Sequence, residues 1–487
     1  MLLGDPLFLA ALIPVVAAFY LIPHGPWRMS YALAISYGYY LTFSIHFLPI
    51  LIAITVLAFG GALLVERARG NPSGKWIAWL IIAGCFAPLV AFKYLVPALT
   101  KNMGQGADWQ LTMEGVVAPV GLSFYTFAAV GYIIDVALGI VEADRNPLRV
   151  GLFCGFFPYV TAGPIPRTAL LDQLDFAHSF DAEQSMQGIS EILVGAFMKL
   201  WIADRLAVSS SAIYANVLTV APLEKLVGTV LFAFQLYADF AGYSLIAIGT
   251  ARLFGINLPA NFRQPYLSST INDFWRSWHI SLFTWLRDYV FTPLRMEWRA
   301  WPRLATSGAM FTTLVLVGIW HGAGWGFVAF GAVHGALMVG SQLTLTHRDR
   351  IWRRLGIANT AINILRIPVT FLIVTLTLIL IRARGLSEAL DIYQSLFSVD
   401  MLRDIGAAVG VTGQSPSFQK VHLATNGIDI TLIAIVILGD IIARLIKRPF
   451  VCLPSLMRAP VYGICMLTVL YRAISANASH PFVYFQF

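Results

Sequence analysis

Residues 47–65 read FLPILIAITVLAFGGALLV, a run of apolar and small residues without one charged side chain. An α-helix needs about 20 mostly apolar residues to cross the hydrocarbon core of a bilayer, so this run can span a membrane. Similar runs occur along the whole chain, at 7–22, 30–44, 76–92, 116–141, 150–165, 189–207, 223–249, 305–323, 325–345, 364–383, 429–446 and 459–474. The pattern predicts an all-α polytopic membrane protein.

The composition of the 487-residue chain excludes the other main classes. Hydrophobic residues make up 58% of the chain and charged residues 12%. With glycine counted and tyrosine left out, the apolar fraction is about 62%, against about 45–50% in soluble proteins. A water-soluble globule is therefore excluded, and so is disorder, which needs low hydrophobicity and high net charge. A transmembrane β-barrel would alternate apolar and polar residues, and these unbroken runs do not.

The net charge of +8 comes from basic residues spread over many connections between the apolar runs. This distribution favours positive-inside topology, and we expect contact with membrane lipid but not with nucleic acid. The basic residues of the early connections are Arg28, Arg67, Arg69, Lys75, Arg145 and Arg149. They predict an N-terminus on the outer side of the membrane and these connections in the cytoplasm.

Metal ligation is not expected from the sequence. The cysteines lie in or beside apolar runs without a CxxC pattern, and they read as small core residues. They are Cys85, Cys154, Cys452 and Cys465. The histidines lack an HExxH pattern as well, and His279 and His321 do not have the spacing of metal ligands.

The connection 250–304 combines tryptophan and arginine in a way that suits a membrane interface or a re-entrant turn. Its tryptophans are Trp275, Trp278, Trp285, Trp298 and Trp301, and its arginines include Arg263, Arg276, Arg287, Arg295, Arg299 and Arg303. So many arginines in one connection predict that it lies at the cytoplasmic face.

Polar groups inside apolar runs are costly in a bilayer and are therefore candidates for function. His321 follows an apolar run and precedes the small residues Gly322, Ala323 and Gly324. A neutral imidazole there suits a general base, because its unperturbed pKa near 6.5 lies close to neutrality. A ligand, a proton relay and a hydrogen-bonded core histidine are equally open interpretations of His321, and for His334 we favour the structural interpretation.

Asp239, in the segment Tyr237–Ser244, can orient a catalytic histidine, bind an ion or tie helices together. The residues alone do not choose between these roles. No phosphate-binding glycine loop, nucleophile elbow or kinase signature accompanies it. From the residues alone, a membrane enzyme, a transporter and a proton channel are equally supported.

Taken in order, the motifs of the chain resemble those of the membrane-bound O-acyltransferase superfamily, in its bacterial branch of alginate O-acetyltransferase and D-alanyl transfer proteins. The matching segments are 92–94, 119–127 with Tyr132 and Asp135, 156–158, 162–167, Lys199 with 202–207, the Asp239 segment, 259–262 with 265–266, 274–289, 318–325, 382–383 and 482–487.

This resemblance implies a ring of tilted helices around a thinned centre, with funnels from both faces. We treat residues 1–487 as one domain, with peripheral N-terminal helices over 1–92, a catalytic core over 93–345 and C-terminal helices over 346–487. The resemblance also implies that His321 is the catalytic residue and that His279 belongs to a second signature near the reaction chamber. The acyl donor would arrive from the cytoplasm.

The function implied is O-acetylation of a cell-surface polysaccharide by a bacterial inner-membrane enzyme. Acetyl-CoA would be the donor, with an extracytoplasmic partner protein passing the group on. Arg276 and Arg287, with Trp278 between them, are the expected donor contacts, because guanidinium groups suit phosphates. Contact with lipid headgroups, or positive-inside topology alone, is the alternative for both arginines. D-alanyl transfer from a carrier protein towards teichoic acid is the second interpretation, and a transporter or channel is the third.

Overall fold

The computed structural model describes residue 3 and residues 5–102, 119–354, 359–408, 427–446, 462–468 and 471. The C-terminal motif at 482–487 and Cys452 lie outside these residues. Within the described ranges the chain forms helices, turns and loops and no β-strand. The all-α prediction is thus confirmed.

Twenty α-helices are numbered here in chain order. They are α1 Pro6–Leu21, α2 Pro26–Leu41, α3 Leu48–Arg67, α4 Gly74–Val90, α5 Val96–Asn102, α6 Leu122–Ala137, α7 Pro147–Gly155, α8 Ala182–Phe197, α9 Asp204–Ala215, α10 Pro222–Leu253, α11 Ile271–Ser277, α12 Ile280–Leu286, α13 Thr292–Glu297, α14 Pro302–His321, α15 Trp325–Arg354, α16 Asn359–Thr377, α17 Ile379–Arg382, α18 Leu386–Leu396, α19 Val399–Ala408 and α20 Gly427–Ile446.

In the described part of the chain, three π-helical turns interrupt or extend these helices, at Ala91–Leu95, Met198–Ala203 and Arg287–Phe291. Each of them carries residues of a segment that we singled out in the sequence, namely Lys93, Lys199 and Arg287. Insertions of this kind are frequent at functional sites. Short 3₁₀ turns lie at Thr168–Gln173, Pro265–Leu267 and Trp298–Ala300.

Six helices among the described residues are long and apolar enough to cross a membrane. They cover Ile45–Arg67, Gly74–Leu99, Pro222–Leu253, Leu304–His321, Trp325–Trp352 and Ala361–Arg382. The protein is therefore a multi-pass membrane protein, as predicted.

The apolar run 150–165 is not a single helix, contrary to the sequence prediction. Helix α7 ends at Gly155, and buried turns follow over residues 157–162. Phe157 precedes Pro158, and a residue before proline is disfavoured in the α-helical region. The backbone N–H of Phe157 is instead satisfied by the hydroxyl of Ser36, at 3.1 Å. The residues of this run are buried within the protein, and they do not form one continuous helix.

The runs at 116–141 and 189–207 also differ from their predicted helices. Helix α6 begins only at Leu122, because Gly121 adopts a left-handed conformation with φ 75°. A Cβ atom at Gly121 would collide with the carbonyl oxygen of Val160. The second run divides into α8, a π-helical turn and α9.

The chain forms two compact units. The first comprises Met1–Gly195 and Tyr243–Ala260, and the second comprises Ala196–Gly242 and Asn261–Phe487. In the first unit, α3, α4 and α6 pack on one another, and edge-to-face contacts join Phe156 and Phe157 to Phe254. Arg252 and Glu191 form an ion pair in the same unit, at 2.9 Å.

In the second unit, α14 and α15 form an antiparallel hairpin whose backbones approach closely. Glycines allow this approach. A Cβ atom at Gly318 would collide with the carbonyl oxygen of Phe327, and one at Gly331 with that of Leu314. The hairpin fixes His321, at the end of α14, close to the first turns of α15.

Candidate active site

Two cavities in the second unit share three lining residues, which are His321, Trp275 and Trp278. The larger cavity encloses about 570 Å³ and the smaller about 340 Å³ of space between atoms. Because the three shared side chains line both spaces, a group bound in either cavity would lie beside the imidazole of His321. This is the arrangement that a transfer between two substrates needs.

The larger cavity is almost wholly apolar. Its other lining residues are Leu236, Phe240, Tyr266, Phe274, Phe327, Phe330, Val374, Leu378 and Ile381. They come from α10, α11, α15, α16 and α17 and from the turn at Pro265–Leu267. The hydroxyl of Tyr266 is engaged by the protein itself, since it donates to the carbonyl oxygen of Ala233 at 2.7 Å. The cavity therefore suits an apolar group.

The smaller cavity is more polar. Its lining includes His279 and Thr313 as well as Leu282, Phe283, Leu286, Leu314 and Val317. Helices α12 and α14 supply most of these residues. The cavity thus brings His279 and His321 to one space, although 41 other residues separate them in the sequence.

His321 is the last residue of α14, and the chain leaves the helix at Gly322 in an extended conformation. A Cβ atom at position 322 would collide with the ring of Phe327, so glycine allows this ring to lie close to the helix end. The imidazole centroid lies 4.8 Å from that of Trp320 and 6.3 Å from that of Phe330. His321 is partly exposed, which agrees with its position at both cavities.

His279 is buried and caps the N-terminus of α12. It adopts a left-handed conformation with φ 44° and ψ 55°. Its Nδ1 lies 3.1 Å from Oδ1 of Asn261. Burial, and after it the charge of His321, lower the pKa of His279 well below its ordinary value. The ring of His279 is therefore neutral near pH 7.

His334 lines neither cavity. Nε1 of Trp275 donates to its Nδ1 at 3.2 Å, and its Nε2 lies 2.8 Å from Oγ1 of Thr377. The hydroxyl of Thr377 in turn donates to the carbonyl oxygen of Val374 at 2.6 Å. Both ring nitrogens are thus used in helix packing. The contacts favour the structural interpretation of His334, and they also anchor the indole of Trp275.

Asp239 pairs with Lys199, whose Nζ lies 2.8 Å from Oδ1 of Asp239 and 2.9 Å from Oδ1 of Asp204. The side chains of this Lys199 cluster are at most 4% exposed. The sequence left three roles open for Asp239, and these contacts support the one in which Asp239 ties helices together. The cluster joins α10 to the π-helical turn at Met198–Ala203 and to the start of α9.

The three expected donor contacts lie in different environments. Trp278 lines both cavities, whereas Arg276 and Arg287 are exposed and line neither. Nε of Arg287 forms an ion pair with Asp288 at 2.8 Å, which raises the pKa of Arg287. Any contact of these arginines with a donor would therefore be made outside the two cavities.

The structure adds residues that sequence reasoning did not assign to the site. Asn261 and Trp275 lay within matched motifs, but nothing in their spacing linked them to a histidine. Phe330 and Leu378 belong to continuous apolar runs, where cavity-lining and lipid-facing residues look alike in sequence. Within the described ranges, no three His, Cys, Asp or Glu side chains are grouped so as to hold a metal ion.

Comparison with known proteins gives the same family as the motifs. The model of the MBOAT, or membrane-bound O-acyltransferase, family matches residues 146–382, which include His279 and His321. A probable alginate O-acetylase AlgI of Pseudomonas syringae pv. tomato is 32% identical over 408 residues, which cover 82% of this chain and 75% of that protein.

Two further relatives carry other activities in their names. A peptidoglycan O-acetyltransferase of Helicobacter pylori is 26% identical over 99% of this chain and 90% of its own length. A teichoic acid D-alanyltransferase of Bacillus subtilis is 31% identical over 46% of this chain and 59% of its own length. These similarities replace the transporter and channel interpretations. The chain belongs to the membrane-bound O-acyltransferase family and is a multi-pass membrane O-acyltransferase.

Proposed function

We propose that this enzyme, working as one domain over residues 1–487, transfers acetyl from cytoplasmic acetyl-CoA across a bacterial inner membrane. The group would pass to an extracytoplasmic partner protein and then to hydroxyl groups of a cell-surface polysaccharide. His321 would be the general base. The observation that carries the proposal is that His321 lines both cavities.

The chemistry follows from this position. The acceptor oxygen attacks the thioester carbonyl carbon, and a C–O bond forms while the C–S bond breaks. His321 takes the hydroxyl proton as the oxygen attacks, and the departing thiolate receives that proton afterwards. The acetyl group becomes an ester and the donor becomes a free thiol, so the step needs no further reactant.

The apolar lining of the larger cavity supports a role as the acyl site. A thioester held there would be shielded from bulk water by Trp275 and Trp278, which suppresses its hydrolysis. The names of the relatives include two short acyl groups, acetyl and D-alanyl. Acetyl is the shortest that the names of the relatives suggest.

The exposed position of Arg276 and Arg287 supports their role with the donor phosphates, because charged phosphates belong outside an apolar cavity. Arg276 follows Trp275 on α11, so one short helix carries both a cavity wall and an exposed cation. The phosphates would stay at the surface while the thioester reaches His321.

D-alanyl transfer is the second candidate, and the similarity to the Bacillus subtilis teichoic acid D-alanyltransferase supports it. Purified protein offered acetyl-CoA or a D-alanyl carrier protein, each with a labelled acyl group, separates the two. We expect transfer of label from acetyl-CoA. Transfer from the carrier protein alone would favour the second candidate, and release of label from neither donor would reject both.

A further inference from the structure

The side-chain oxygen of Asn261 receives three hydrogen bonds, and together they determine the proton position on His279. The backbone N–H of Ser281 donates to it at 3.2 Å, and the hydroxyl of Ser281 at 2.9 Å. A backbone N–H can only donate, so the receiving atom of Asn261 is its oxygen and not its NH₂ group. The bond to Nδ1 of His279 therefore has Nδ1–H as its donor.

It follows that neutral His279 carries its lone pair on Nε2. The backbone reinforces this arrangement. The N–H of Ile280 donates to the carbonyl oxygen of Asn261 at 2.9 Å, which fixes the two segments together. The left-handed conformation of His279 is costly for a residue other than glycine, and such residues persist where their surroundings hold them.

The contrast with His334 shows that this tautomer is specific to its environment. Trp275 donates to Nδ1 of His334, so the proton of that ring is on Nε2. His334 thus has the opposite tautomer and is enclosed by its packing partners. His279, in contrast, shares a cavity with His321.

We propose that Asn261 and His279 are positioning residues for His321: Asn261 holds the proton of His279 on Nδ1, and Nε2 accepts a hydrogen bond from a water in the smaller cavity that itself accepts the N–H of His321. The inference rests on the proposed function of His321 as the base. The other nitrogen of His321 then keeps its lone pair for the acceptor hydroxyl.

The charges around His279 suit this role. Phe240 and Trp320 lie against its ring, and His321 is a titratable side chain whose charge acts on it. Because two adjacent imidazolium ions repel each other, a proton taken from the substrate stays on His321. A neutral His279 with its lone pair on Nε2 stabilises that charged ring, as a carboxylate does in serine hydrolases.

The test compares Asn261→Ala and Asn261→Asp in the acetyl-transfer assay with the full-length protein. In Asn261→Ala, His279 can adopt either tautomer, and we expect kcat to fall by about 100-fold with KM within about threefold. The carboxylate of Asn261→Asp still accepts from Nδ1–H. We expect it to restore kcat to within about tenfold of wild type and to move the acidic limb of the pH profile to higher pH.

Ser281→Ala is the matched control. It removes one hydrogen bond to the same oxygen but leaves the bond from His279, so we expect kcat within about threefold of wild type. Wild-type kcat in Asn261→Ala would overturn the proposal. Equal losses in Asn261→Ala and Asn261→Asp, with an unchanged pH profile, would also overturn it, because a purely structural role predicts that result.

A second measurement does not depend on activity. The ¹⁵N shifts of histidine-labelled protein report the tautomer of each neutral ring, and the His279 signals are identified by their loss in His279→Gln. We expect Nδ1–H in the wild-type protein and a mixture of tautomers in Asn261→Ala. Nε2–H in the wild-type protein would contradict the proposal, whereas absence of acyl transfer by that protein would reject only the proposed function.

Discussion

Trp275 donates its indole N–H to Nδ1 of His334 at 3.2 Å, and through this bond a residue outside the cavities holds one of their shared walls. Trp275 lines both cavities and His334 lines neither. The orientation of the wall beside His321 therefore depends on contacts made by α15 and α16. His321 thus lines the cavities, whereas His334 holds the Trp275 wall in place, although the two histidines are only 13 positions apart in the sequence.

Replacing His334 should affect both stability and turnover. His334→Ala leaves the buried N–H of Trp275 without its acceptor, and we expect a loss of about 1–3 kcal/mol in unfolding free energy. We also expect a fall of about tenfold in turnover, because small misplacements in a site are costly. His334→Gln keeps one acceptor and one donor and should recover most of both. Thermal unfolding and acyl-transfer assays measure these effects, and wild-type turnover in His334→Ala would refute the role of the bond.

The Lys199 cluster should be sensitive to removal of its cation. Lys199→Met leaves Asp204 and Asp239 buried without that charge, and we expect a loss of about 3–5 kcal/mol in stability. The double variant Lys199→Met with Asp239→Asn removes one of the uncompensated carboxylates and should be more stable than the single variant. Unfolding in detergent tests the order. If Lys199→Met were as stable as the wild-type protein, the charge of Lys199 would not be what stabilises the buried carboxylates of Asp204 and Asp239.

Leu378 should limit the length of the acyl group. Its side chain lines the larger cavity, so Leu378→Ala adds space where we place the acyl chain. We expect the ratio of kcat/KM for butyryl-CoA to that for acetyl-CoA to rise about tenfold or more, since each methylene in an apolar pocket changes selectivity by about that amount. Leu372→Ala, at an exposed position of α16, is the matched control. An unchanged ratio in Leu378→Ala would place the acyl chain elsewhere.

His279 should make the protein less stable in mild acid. Its pKa is lowered in the folded state, so below about pH 6.5 the unfolded state binds more protons than the folded one. Stability is therefore greatest above this pH and falls by up to about 1.4 kcal/mol per pH unit below it. His279→Gln should flatten this dependence, whereas His24→Gln, at an exposed position, should not. Unfolding midpoints between pH 7.5 and 5.5 give the comparison, and equal slopes in all three proteins would speak against a neutral buried His279.

The sequence predicted those features of the structure that depend on local composition. The long apolar runs predicted a polytopic helical protein, and the position of His321 at the end of such a run marked it as a candidate for function. The prediction of a helix was wrong where apolar residues are buried in turns of the protein, as at Phe157 and Pro158. The hydrogen bond between Asn261 and His279 could not be predicted from the sequence, because it depends on the left-handed backbone conformation of His279. The exposure of Arg276 depends on the direction that α11 faces, and its seven residues carry too little periodicity to show this.

The most direct test of the account is transfer of labelled acetyl from acetyl-CoA by purified His321→Ala. His347→Ala, which changes an exposed histidine on α15, is the control. If His321 is the base reached from both cavities, the rate should fall by about 100- to 10,000-fold while the protein stays folded and His347→Ala remains active. A folded His321→Ala protein that transfers acetyl at the wild-type rate would contradict the account.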